Sequence, residues 1–466
     1  MSKESRLIKN TFILLIGIVG TKLVNFILLP FLTAWLSVEE YGSIDVFLTV
    51  VSMIVPICSL QIEQAIFRFL IDDKSEDEEK ITVSSSIIFV FLILILIDIS
   101  VLLYYLFNRK FLLLIYLLAI NLQVVYIVIQ QIIRGKGYNS IYTINSIIFA
   151  IATLVGCVIF IKYLKLGTFG YIYSYCFANL IAITYMIFKP NVMNLISFSC
   201  FNFCRTINML KYSVPMILNN VSWWILNASD KLILNYFVGT NANGIYAAAG
   251  KIPGLITSVF SVFQMAWQES TSREQNDKGL AEFYSNVFRS LYVILSYAVI
   301  LILLLSKILF PLLINIKFRE SFFHVPILLI GLFFLCLAQF YGGIFVGLHN
   351  SNELGWTSAV AAIINLLVNL VLVNIFDIYA ASVSTLIAYL VLFIIRLFNT
   401  RKVVDIKYNF NEILVVSATI IISFIATYIF DIYIQILILL IISFIFWRLF
   451  KDIIFSFVTM VLKRRI

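Results

Sequence analysis

The sequence has few charged residues and almost no histidine, and both shortages limit what the protein can do. Charged residues make up 12% of the 466-residue chain, whereas 62% of its residues are hydrophobic. A water-soluble fold of this length could not hide so much apolar surface, so the composition excludes a soluble domain and predicts a membrane protein. The two histidines, His324 and His349, lie on opposite sides of the membrane in the topology predicted below, which excludes a catalytic dyad between them.

The sequence also lacks the motifs of nucleotide hydrolysis, acyl transfer and zinc binding. It contains neither a Walker A sequence nor G-x-S-x-G. Of the six cysteines, Cys200 and Cys204 are the pair outside the apolar spans, and two further zinc ligands are missing near them. We therefore expect no enzymatic activity, no cofactor and no bound metal.

Long apolar runs dominate what is present. Each run is long enough to cross a bilayer core of about 30 Å as a helix, and each is continuous rather than alternating, which excludes barrel strands. The predicted fold class is an all-α integral membrane protein with about fourteen transmembrane helices. The spans lie near 11–36, 44–67, 81–107, 111–133, 141–161, 168–188, 213–238, 245–267, 286–314, 325–347, 356–376, 378–398, 411–430 and 432–450.

Lysine and arginine are concentrated in the short loops between these spans. In a soluble protein the net charge of +9 would suggest binding to nucleic acid, but here the basic residues follow the positive-inside rule. They fall mainly in the loops that are cytoplasmic when the N-terminus is inside the cell. Because the number of spans is even, both termini are predicted to be cytoplasmic. Membrane orientation thus explains the basic residues, and nucleic acid is excluded as a partner.

A helix pair near the N-terminus recurs in the second half of the chain. Residues 10–68 and 211–268 align when Gly42 is laid on Gly244, and weaker similarities extend the duplication to six spans each. Because six is even, the two lobes have the same orientation and the repeat is parallel. The predicted domains are an N-terminal six-helix lobe at 1–189, a cytoplasmic connector at 190–211, a C-terminal six-helix lobe at 212–400, and two additional helices with a basic cytoplasmic tail at 401–466.

Polar and charged residues inside the spans form the candidate substrate site. A charge at mid-span costs about 3 kcal/mol to insert, so such residues should face protein or water. They recur at helical spacing; Gln61, Gln64 and Arg68, for example, share one face of the second span. The excess of cations suits an anionic substrate, because a phosphate about 4 Å from an ammonium gains roughly 4 kcal/mol at an intermediate dielectric. The candidate substrate-binding residues are Lys22, Asn25, Gln64, Arg68, Asn227, Asp230, Lys231 and Lys251.

Several of these residues also have a purely structural explanation. Asp230 and Lys231 can neutralise each other, although sequence neighbours point about 100° apart on a helix. Lys251 lies near a span end and can extend its amine to the interface. The ring of Trp224 could stack on a sugar or serve in packing. Lys22 is near mid-span without an acid at its own helical spacing, so it is the strongest candidate.

Four groups of motifs are similar to those of a known family. On these residues the chain resembles the polysaccharide flippases of the multidrug/oligosaccharidyl-lipid/polysaccharide exporter superfamily, called Wzx in O-antigen and capsule pathways. The resemblance covers the first twelve helices. The motifs are NTF at 10–12 with Lys22, Phe26 and Pro30 before LSVEEYG at 36–42, YSVP at 212–215 with DKLIL at 230–234, GIYAAAGKI at 244–252, and DIYAAS at 377–382.

This resemblance implies a fold, a substrate and a location. It implies two six-helix bundles in the V-shaped arrangement of MATE transporters, around a cationic cavity that opens alternately to each side of a bacterial cytoplasmic membrane. The implied substrate is an undecaprenyl-pyrophosphate-linked oligosaccharide, which moves from the inner to the outer leaflet. Membrane lipid, a polysaccharide polymerase and a chain-length regulator are the implied partners. Lys22, Arg68, Asp230 and Lys231 stand where such proteins keep inward-facing charges.

Two other functions are weighed against the flippase. A cation-coupled drug antiporter of the MATE type shares the fold but should place a carboxylate on the cavity face of the first helix, where this chain has Lys22. A membrane polymerase or glycosyltransferase should carry a large outer loop with paired arginines or acids, and the sequence provides no such loop.

Overall fold

The computed structural model describes residues 3–73, 75–109, 111–189, 195–273, 279–348 and 350–463, and across these ranges its secondary structure is helical, without a β-strand. Its contacts divide the chain into two compact units, Met1–Ala228 and Ser229–Ile466. The first unit holds helices α1 (Lys3–Trp35), α2 (Val38–Cys58), α3 (Ile62–Asp72), α4 (Glu76–Asn108), α5 (Phe111–Gly135), α6 (Asn139–Cys157) and α7 (Gly167–Phe188), and the first part of α8 (Phe203–Phe237).

The second unit begins inside α8. A 3₁₀ helix at Ile316–His324 precedes α12, and together they form the most buried of the candidate membrane spans among the described residues. The helices of this unit after α8 are α9 (Thr240–Ala249), α10 (Gly254–Arg273), α11 (Leu280–Leu313), α12 (Val325–Gly347), α13 (Ser351–Phe376), α14 (Ile378–Arg401), α15 (Phe410–Ile429) and α16 (Ile432–Lys463).

Local sequence signals explain where several helices start. Ser37 caps α2 through its hydroxyl, which accepts from the Glu40 N–H, and the Glu40 carboxylate accepts from the Ser37 N–H in return. This capping box satisfies two backbone donors that the first turn of a helix leaves open. Ser75 caps α4 through its hydroxyl, which accepts from the Glu78 N–H, and four acidic residues follow it in the first turn, where the helix dipole favours negative charge. The acidic residues at 76–79 therefore start a helix.

The number of spans agrees with the sequence. Among the described residues, eleven helices are long and apolar enough to cross a membrane, and the bent pair α9 and α10 makes twelve if it is one span. The long helices α1 and α8, of 33 and 35 residues, are additional to that count. The prediction of an all-α membrane protein is confirmed, and about fourteen spans are compatible with this architecture.

Two spans predicted to be continuous are broken, so those predictions are wrong in detail. The span at 44–67 ends at Cys58 and resumes at Ile62, and the span at 245–267 ends at Ala249 and resumes at Gly254 with a bend of 53°. Pro253 lies directly before the second restart, where its missing N–H costs no helical hydrogen bond. Gln61 precedes α3 with a left-handed backbone, φ 56°, so it does not share a helix face with Gln64 and Arg68.

The same three helix pairings occur in both units, as the duplication predicts. In the first unit α3 packs on α5, α5 on α7, and α6 on α7. In the second unit α10 packs on α12, α12 on α14, and α13 on α14. These pairs occupy equivalent places in the two six-span repeats. The V-shaped arrangement of two bundles stays a prediction.

The boundary between the compact units lies at Ala228, in the middle of α8. The predicted connector at 190–211 and the lobe bounds stay predictions, and residues 190–194 of that connector lie outside the described part of the chain. The first part of α8 is held in unit 1: Ser213 Oγ donates to the Leu60 carbonyl at 2.8 Å, and Trp224 Nε1 donates to the Thr49 carbonyl at 3.2 Å. The indole of Trp224 is thus anchored to α2, which favours its packing role.

The last two helices pack against α11. Arg289 donates from Nε and Nη2 to the two carboxylate oxygens of Glu412 on α15, at 2.7 and 2.5 Å. Tyr292 and Ser417 share a hydrogen bond of 2.8 Å, and Tyr297 of α11 bonds Ser443 of α16 at 2.9 Å. The two additional helices are therefore integrated into the second unit.

Gly347→Ala is expected to destabilise the contact between α10 and α12. A Cβ at Gly347 would lie 2.6 Å from the Thr271 carbonyl oxygen, a backbone atom that cannot move aside alone. Overpacking of this kind typically costs about 1–3 kcal/mol, so the thermal midpoint of the purified protein should fall. Gly355→Ala is the matched control, because a Cβ there meets nothing within 4 Å. Equal midpoints for the two variants would contradict this packing.

Candidate functional site

A buried carboxylate, Asp230 of α8, joins four helices of the second unit through its hydrogen bonds. Only 3% of it is exposed. Thr385 Oγ1 of α14 donates to Oδ2 at 2.6 Å and Tyr246 Oη of α9 donates to the same oxygen at 3.1 Å. From α13, Asn369 Nδ2 donates to Oδ1 at 2.9 Å and Asn365 Nδ2 donates to Oδ2 at 3.4 Å. Four helices thus meet at one carboxyl group, and we call these five residues the Asp230 cage.

Further polar atoms surround the cage. Ser229 Oγ donates to Asn365 Oδ1 at 3.3 Å, and the hydroxyls of Tyr246 and Thr385 lie 3.1 Å apart. Asn369 Oδ1 is buried and meets no hydrogen-bond donor among the described residues. Asn365 and Asn369 are four residues apart, so both amides point from one face of α13 towards Asp230.

The described groups that contact Asp230 are uncharged. Burial of a carboxylate away from water costs several kcal/mol, and a hydrogen bond to a charged group returns about 1.5–3 kcal/mol. The cage therefore suits two states: an anion held by four donors, or a carboxyl that has bound a cation. Rotation of an asparagine amide by 180° exchanges its donor for an acceptor oxygen. Carboxylate, amide and hydroxyl oxygens together are the ligands that hard cations prefer.

Asp230 and Lys231, which are neighbours in sequence, differ in burial. Asp230 is enclosed in its cage, whereas Lys231 is half-buried. The described hydrogen bonds of Asp230 go to the cage residues, and a group so enclosed cannot touch an oligosaccharide without repacking. Substrate contact by Asp230 stays a prediction, and in this structure its side chain is buried in the cage. The side chain of Asn227, one turn earlier, lies outside the described part of the structure.

In the first unit, polar residues gather at the break between α2 and α3. Leu60 and Gln61 both adopt left-handed backbone, φ 48° and 56°, which costs about 1 kcal/mol or more for a residue with a side chain. Glu63, at the start of α3, is 5% exposed. Gln61 Oε1 and Glu63 Oε2 have no hydrogen-bond partner among the residues described. Irregular backbone at membrane depth is tolerated where protein or water covers it.

The predicted cations of the first unit lie on two helices. Gln64 is half-buried and Arg68 exposed on α3, one turn apart, and Arg68 forms an ion pair with Asp72 at 3.3 Å. Both partners of that pair are more than half exposed, so it adds little stability and leaves Arg68 accessible. Lys22 and Asn25 have exposed side chains one turn apart on α1.

Lys251 lies in the break between α9 and α10, and its side chain is exposed. Its position at a helix break fits both predicted roles of Lys251: binding the substrate, or extending its amine to the membrane interface. Thus each unit presents an exposed cation at or shortly after a broken span, Arg68 in the first and Lys251 in the second.

With this geometry established, comparison with known proteins assigns the family. Residues 7–268 match the model of a family described as polysaccharide biosynthesis protein. The chain belongs to this family. The matched region contains all eight predicted substrate-binding residues, and it ends before α11.

Solved structures of membrane transporters have the same fold as this chain. The lipid II flippase MurJ in an inward closed conformation is similar with a TM-score of 0.73 and 16% identity, over 95% of this chain and 99% of that chain. A multidrug resistance MATE family transporter of the MOP superfamily, in an inward-facing conformation, gives a TM-score of 0.65 and 15% identity, over 84% and 93% of the two chains. The chain thus shares its fold with these two transporters.

A relative in sequence is an uncharacterized membrane protein of Methanocaldococcus jannaschii. It is 25% identical over 214 residues, which are 45% of this chain and 42% of that protein. The chain therefore spans less than half the length of that relative.

Sequence reasoning missed most of the Asp230 cage. Tyr246, Asn365, Asn369 and Thr385 were not among the predicted site residues, because they lie in other helices and contact Asp230 only in the folded protein. One signal was present: two asparagines four residues apart inside the apolar span at 356–376 form a polar stripe that lipid would not tolerate. Glu63 is a similar signal, because it is a carboxylate inside the second predicted span.

Proposed function

We propose that this protein is a flippase that moves undecaprenyl-pyrophosphate-linked oligosaccharide repeat units from the inner to the outer leaflet of a bacterial cytoplasmic membrane. The observation that carries the proposal is the exposure of lysine and arginine side chains on apolar helices, above all Lys22 on α1. Membership in a polysaccharide biosynthesis family and the MOP fold support it. The products would be surface polysaccharides such as O-antigen or capsule.

The cations would bind the pyrophosphate. Lys22, Arg68, Lys231 and Lys251 are proposed to bind it in turn as the transporter alternates its access, with Asn25, Gln64 and Asn227 as hydrogen-bond donors to phosphate or sugar. An ammonium about 4 Å from a phosphate gains roughly 4 kcal/mol at an intermediate dielectric, which offsets much of the cost of placing the lysine in the membrane. Lysine supplies charge without the fork geometry of arginine, so the binding of phosphate would tolerate movement.

Two sources of free energy can drive the step. A pyrophosphate with about two negative charges that leaves a negative-inside cell gains roughly 4–5 kcal/mol per 100 mV if both charges cross the whole field. The Asp230 cage offers a second source, because entry of a proton or Na⁺ would replace the four donors as the partner of the carboxylate. We propose that the occupancy of this cage biases the conformation of the second unit.

The topology follows from the same proposal. Both termini would be cytoplasmic, because this orientation puts most lysines and arginines on the inner side. A repeat unit delivered to the outer leaflet would then be the substrate of a polysaccharide polymerase acting with a chain-length regulator, and we propose these two proteins as partners.

A cation-coupled drug antiporter is the second candidate, and the buried Asp230 favours it as a cation site. The charge of Lys22 argues against a cationic substrate, because like charges repel inside a low-dielectric cavity. The two functions separate in drug-sensitivity tests. Overexpression should leave the drug-sensitivity profile unchanged for a flippase and should raise resistance for an antiporter.

Removal of the protein from its host is expected to abolish the surface polysaccharide and to accumulate lipid-linked repeat units on the cytoplasmic side. Surface polysaccharide can be followed by gel or antibody, and the accumulated lipid by mass spectrometry of membrane extracts. Complementation with the wild type or with Lys402→Gln, which changes an exposed lysine outside the candidate site, should restore both. Normal polysaccharide in the deletion strain would contradict the proposal.

A further inference from the structure

Two adjoining cavities in the second unit differ in chemical character. One, of about 560 Å³, lies among α11, α12, α14 and α15 and is lined almost entirely by apolar and aromatic side chains. The other, of about 730 Å³, lies beside it between α11 and the chain that leads into α15, and its lining mixes charged and polar side chains with apolar ones. We call it the polar cavity for its charged residues. The two cavities share the side chains of Phe288, Tyr292, Tyr408 and Ile413. An amphipathic molecule can therefore occupy both at once.

The apolar cavity opens to the outer surface of a membrane-crossing helix. Phe410 and Ile421 line it and are 75% and 58% exposed on α15, a helix apolar enough to span the membrane. A cavity with such a lining does not hold water well, because water there would lack hydrogen-bond partners. Next to a bilayer, the molecule at hand to fill it is a hydrocarbon chain.

Cations lie where the two cavities meet. Arg401, in the last turn of α14, is the one charged residue among the described residues that line the apolar cavity, and its guanidinium stacks 5.1 Å from the Tyr408 ring centroid. Lys407 lines the polar cavity and is exposed. Arg289 also lines it, but its two donors are engaged by Glu412. The capacity for an anion thus rests on Arg401 and Lys407.

The polar cavity suits a small charge rather than a large one. It contains two cations, Arg289 and Lys407, and two carboxylates, Glu282 and Glu412. Glu412 is compensated by Arg289. The charge of Glu282 would therefore repel a pyrophosphate with two negative charges, whereas a phosphodiester with one charge can bind Arg401 and Lys407. An amine in the headgroup would find Glu282 nearby. The cationic and acidic side chains of the two cavities together match the phosphodiester and the amine of a glycerophospholipid headgroup.

We propose that these two cavities bind one glycerophospholipid of the cytoplasmic leaflet, with an acyl chain in the apolar cavity and the phosphodiester at Arg401 and Lys407. In the proposed topology the segment between α14 and α15 is cytoplasmic, which places the headgroup at the correct interface. This site is separate from the residues proposed to bind the oligosaccharide carrier, and it would hold α15 against α11, α12 and α14.

Native mass spectrometry of protein extracted in mild detergent tests this site. The wild type should retain one phospholipid. Ile421→Trp, which blocks the mouth of the apolar cavity, and the double variant Arg401→Gln with Lys407→Gln should each lower the retained fraction at least fivefold. Ile422→Trp and Lys402→Gln are matched controls, because both residues are exposed and neither lines these two cavities, and they should retain lipid as the wild type does.

A second measurement, of thermal stability, uses only the wild-type protein. Added phospholipid should raise the thermal midpoint of delipidated wild type, whereas glycerol phosphate without chains and diacylglycerol without phosphate should each have a much smaller effect. The proposal is overturned if the wild type retains no lipid, if the blocked and control variants retain it equally, if the retained molecule is a prenyl phosphate, or if glycerol phosphate alone stabilises as strongly as the phospholipid.

Discussion

Asp230→Ala is expected to reduce polysaccharide export at least tenfold, which corresponds to about 1.4 kcal/mol or more in the transport barrier. The substitution removes the acceptor of four hydrogen bonds at once. Tyr246 and Thr385 can still bond each other, since their hydroxyls are 3.1 Å apart, but the amides of Asn365 and Asn369 lose their partner. A buried donor without an acceptor costs about 1–3 kcal/mol, so the thermal midpoint of this variant should also fall.

The variant Asp230→Asn tests the negative charge of residue 230 separately from its packing. The asparagine fills the same volume but cannot carry the negative charge that attracts a cation. We expect Na⁺, compared with choline at constant ionic strength, to raise the thermal midpoint and the transport rate of the wild type and to leave Asp230→Asn unchanged. Asp377→Asn provides the control, because that carboxylate is exposed at the turn between α13 and α14, and this variant should respond to Na⁺ as the wild type does.

The outcome also identifies the cation. A response of the wild type to pH without a response to Na⁺ would assign a proton to the Asp230 cage. An equal response of wild type and Asp230→Asn to both ions would show that the cage has no part in coupling, and the potential across the membrane would be the remaining source of free energy.

Lys22→Ala and Lys231→Ala are each expected to lower flipping of the pyrophosphate-linked substrate about tenfold or more, while protein levels are preserved. Loss of one ammonium close to the phosphate removes up to roughly 4 kcal/mol at an intermediate dielectric, and partial solvent screening reduces that value. The exposed position of Lys22 on α1 predicts that alanine there does not disturb packing. The assay is transport in proteoliposomes, with the amount of protein measured in parallel.

Two further variants make the test of these lysines specific. Lys22→Arg should keep most of the activity, because charge rather than shape is required. Lys402→Ala should keep all of it, since that lysine lies in the segment after α14 and hydrogen-bonds Asn399. Full activity in both Lys22→Ala and Lys231→Ala would remove these lysines from the substrate site.

Much of the fold could be predicted from the sequence, because membrane spans follow from composition and length. Apolar runs of bilayer length set the helices, and the alignment of Gly42 with Gly244 predicted a repeat whose helix pairings occur in both units. These features depend on local composition or on similarity within the chain. No distant contact is needed to predict them.

The helix breaks could not be predicted in this way. Residues 59–64 mix polar and apolar side chains, which a continuing helix also accommodates, so the sequence does not fix the end of α2 at Cys58. The break depends on a distant contact: the Leu60 carbonyl, released from the helix, accepts a hydrogen bond from Ser213 on α8. The Asp230 cage was missed for the same reason, since its partners on α13 and α14 are distant in sequence.

The buried Arg396 of α14 illustrates a charge without a binding role. Its guanidinium is 1% exposed and donates to the Ala338 carbonyl, Thr357 Oγ1 and Ser358 Oγ. A charge inside an apolar span is therefore not by itself a site. Exposure separates Lys22 from Arg396, and only a structure supplies that distinction.

The most direct test of the account is a flipping assay in proteoliposomes that contain only this protein. Undecaprenyl-pyrophosphate-linked oligosaccharide is placed in one leaflet, and its appearance in the other is followed with an impermeant enzyme that modifies the sugar. The account predicts rapid flipping by the wild type, acceleration by a potential that draws the anion across, and loss of flipping when Lys22 and Lys231 are both replaced by alanine. Flipping by the double variant at the rate of the wild type would contradict it.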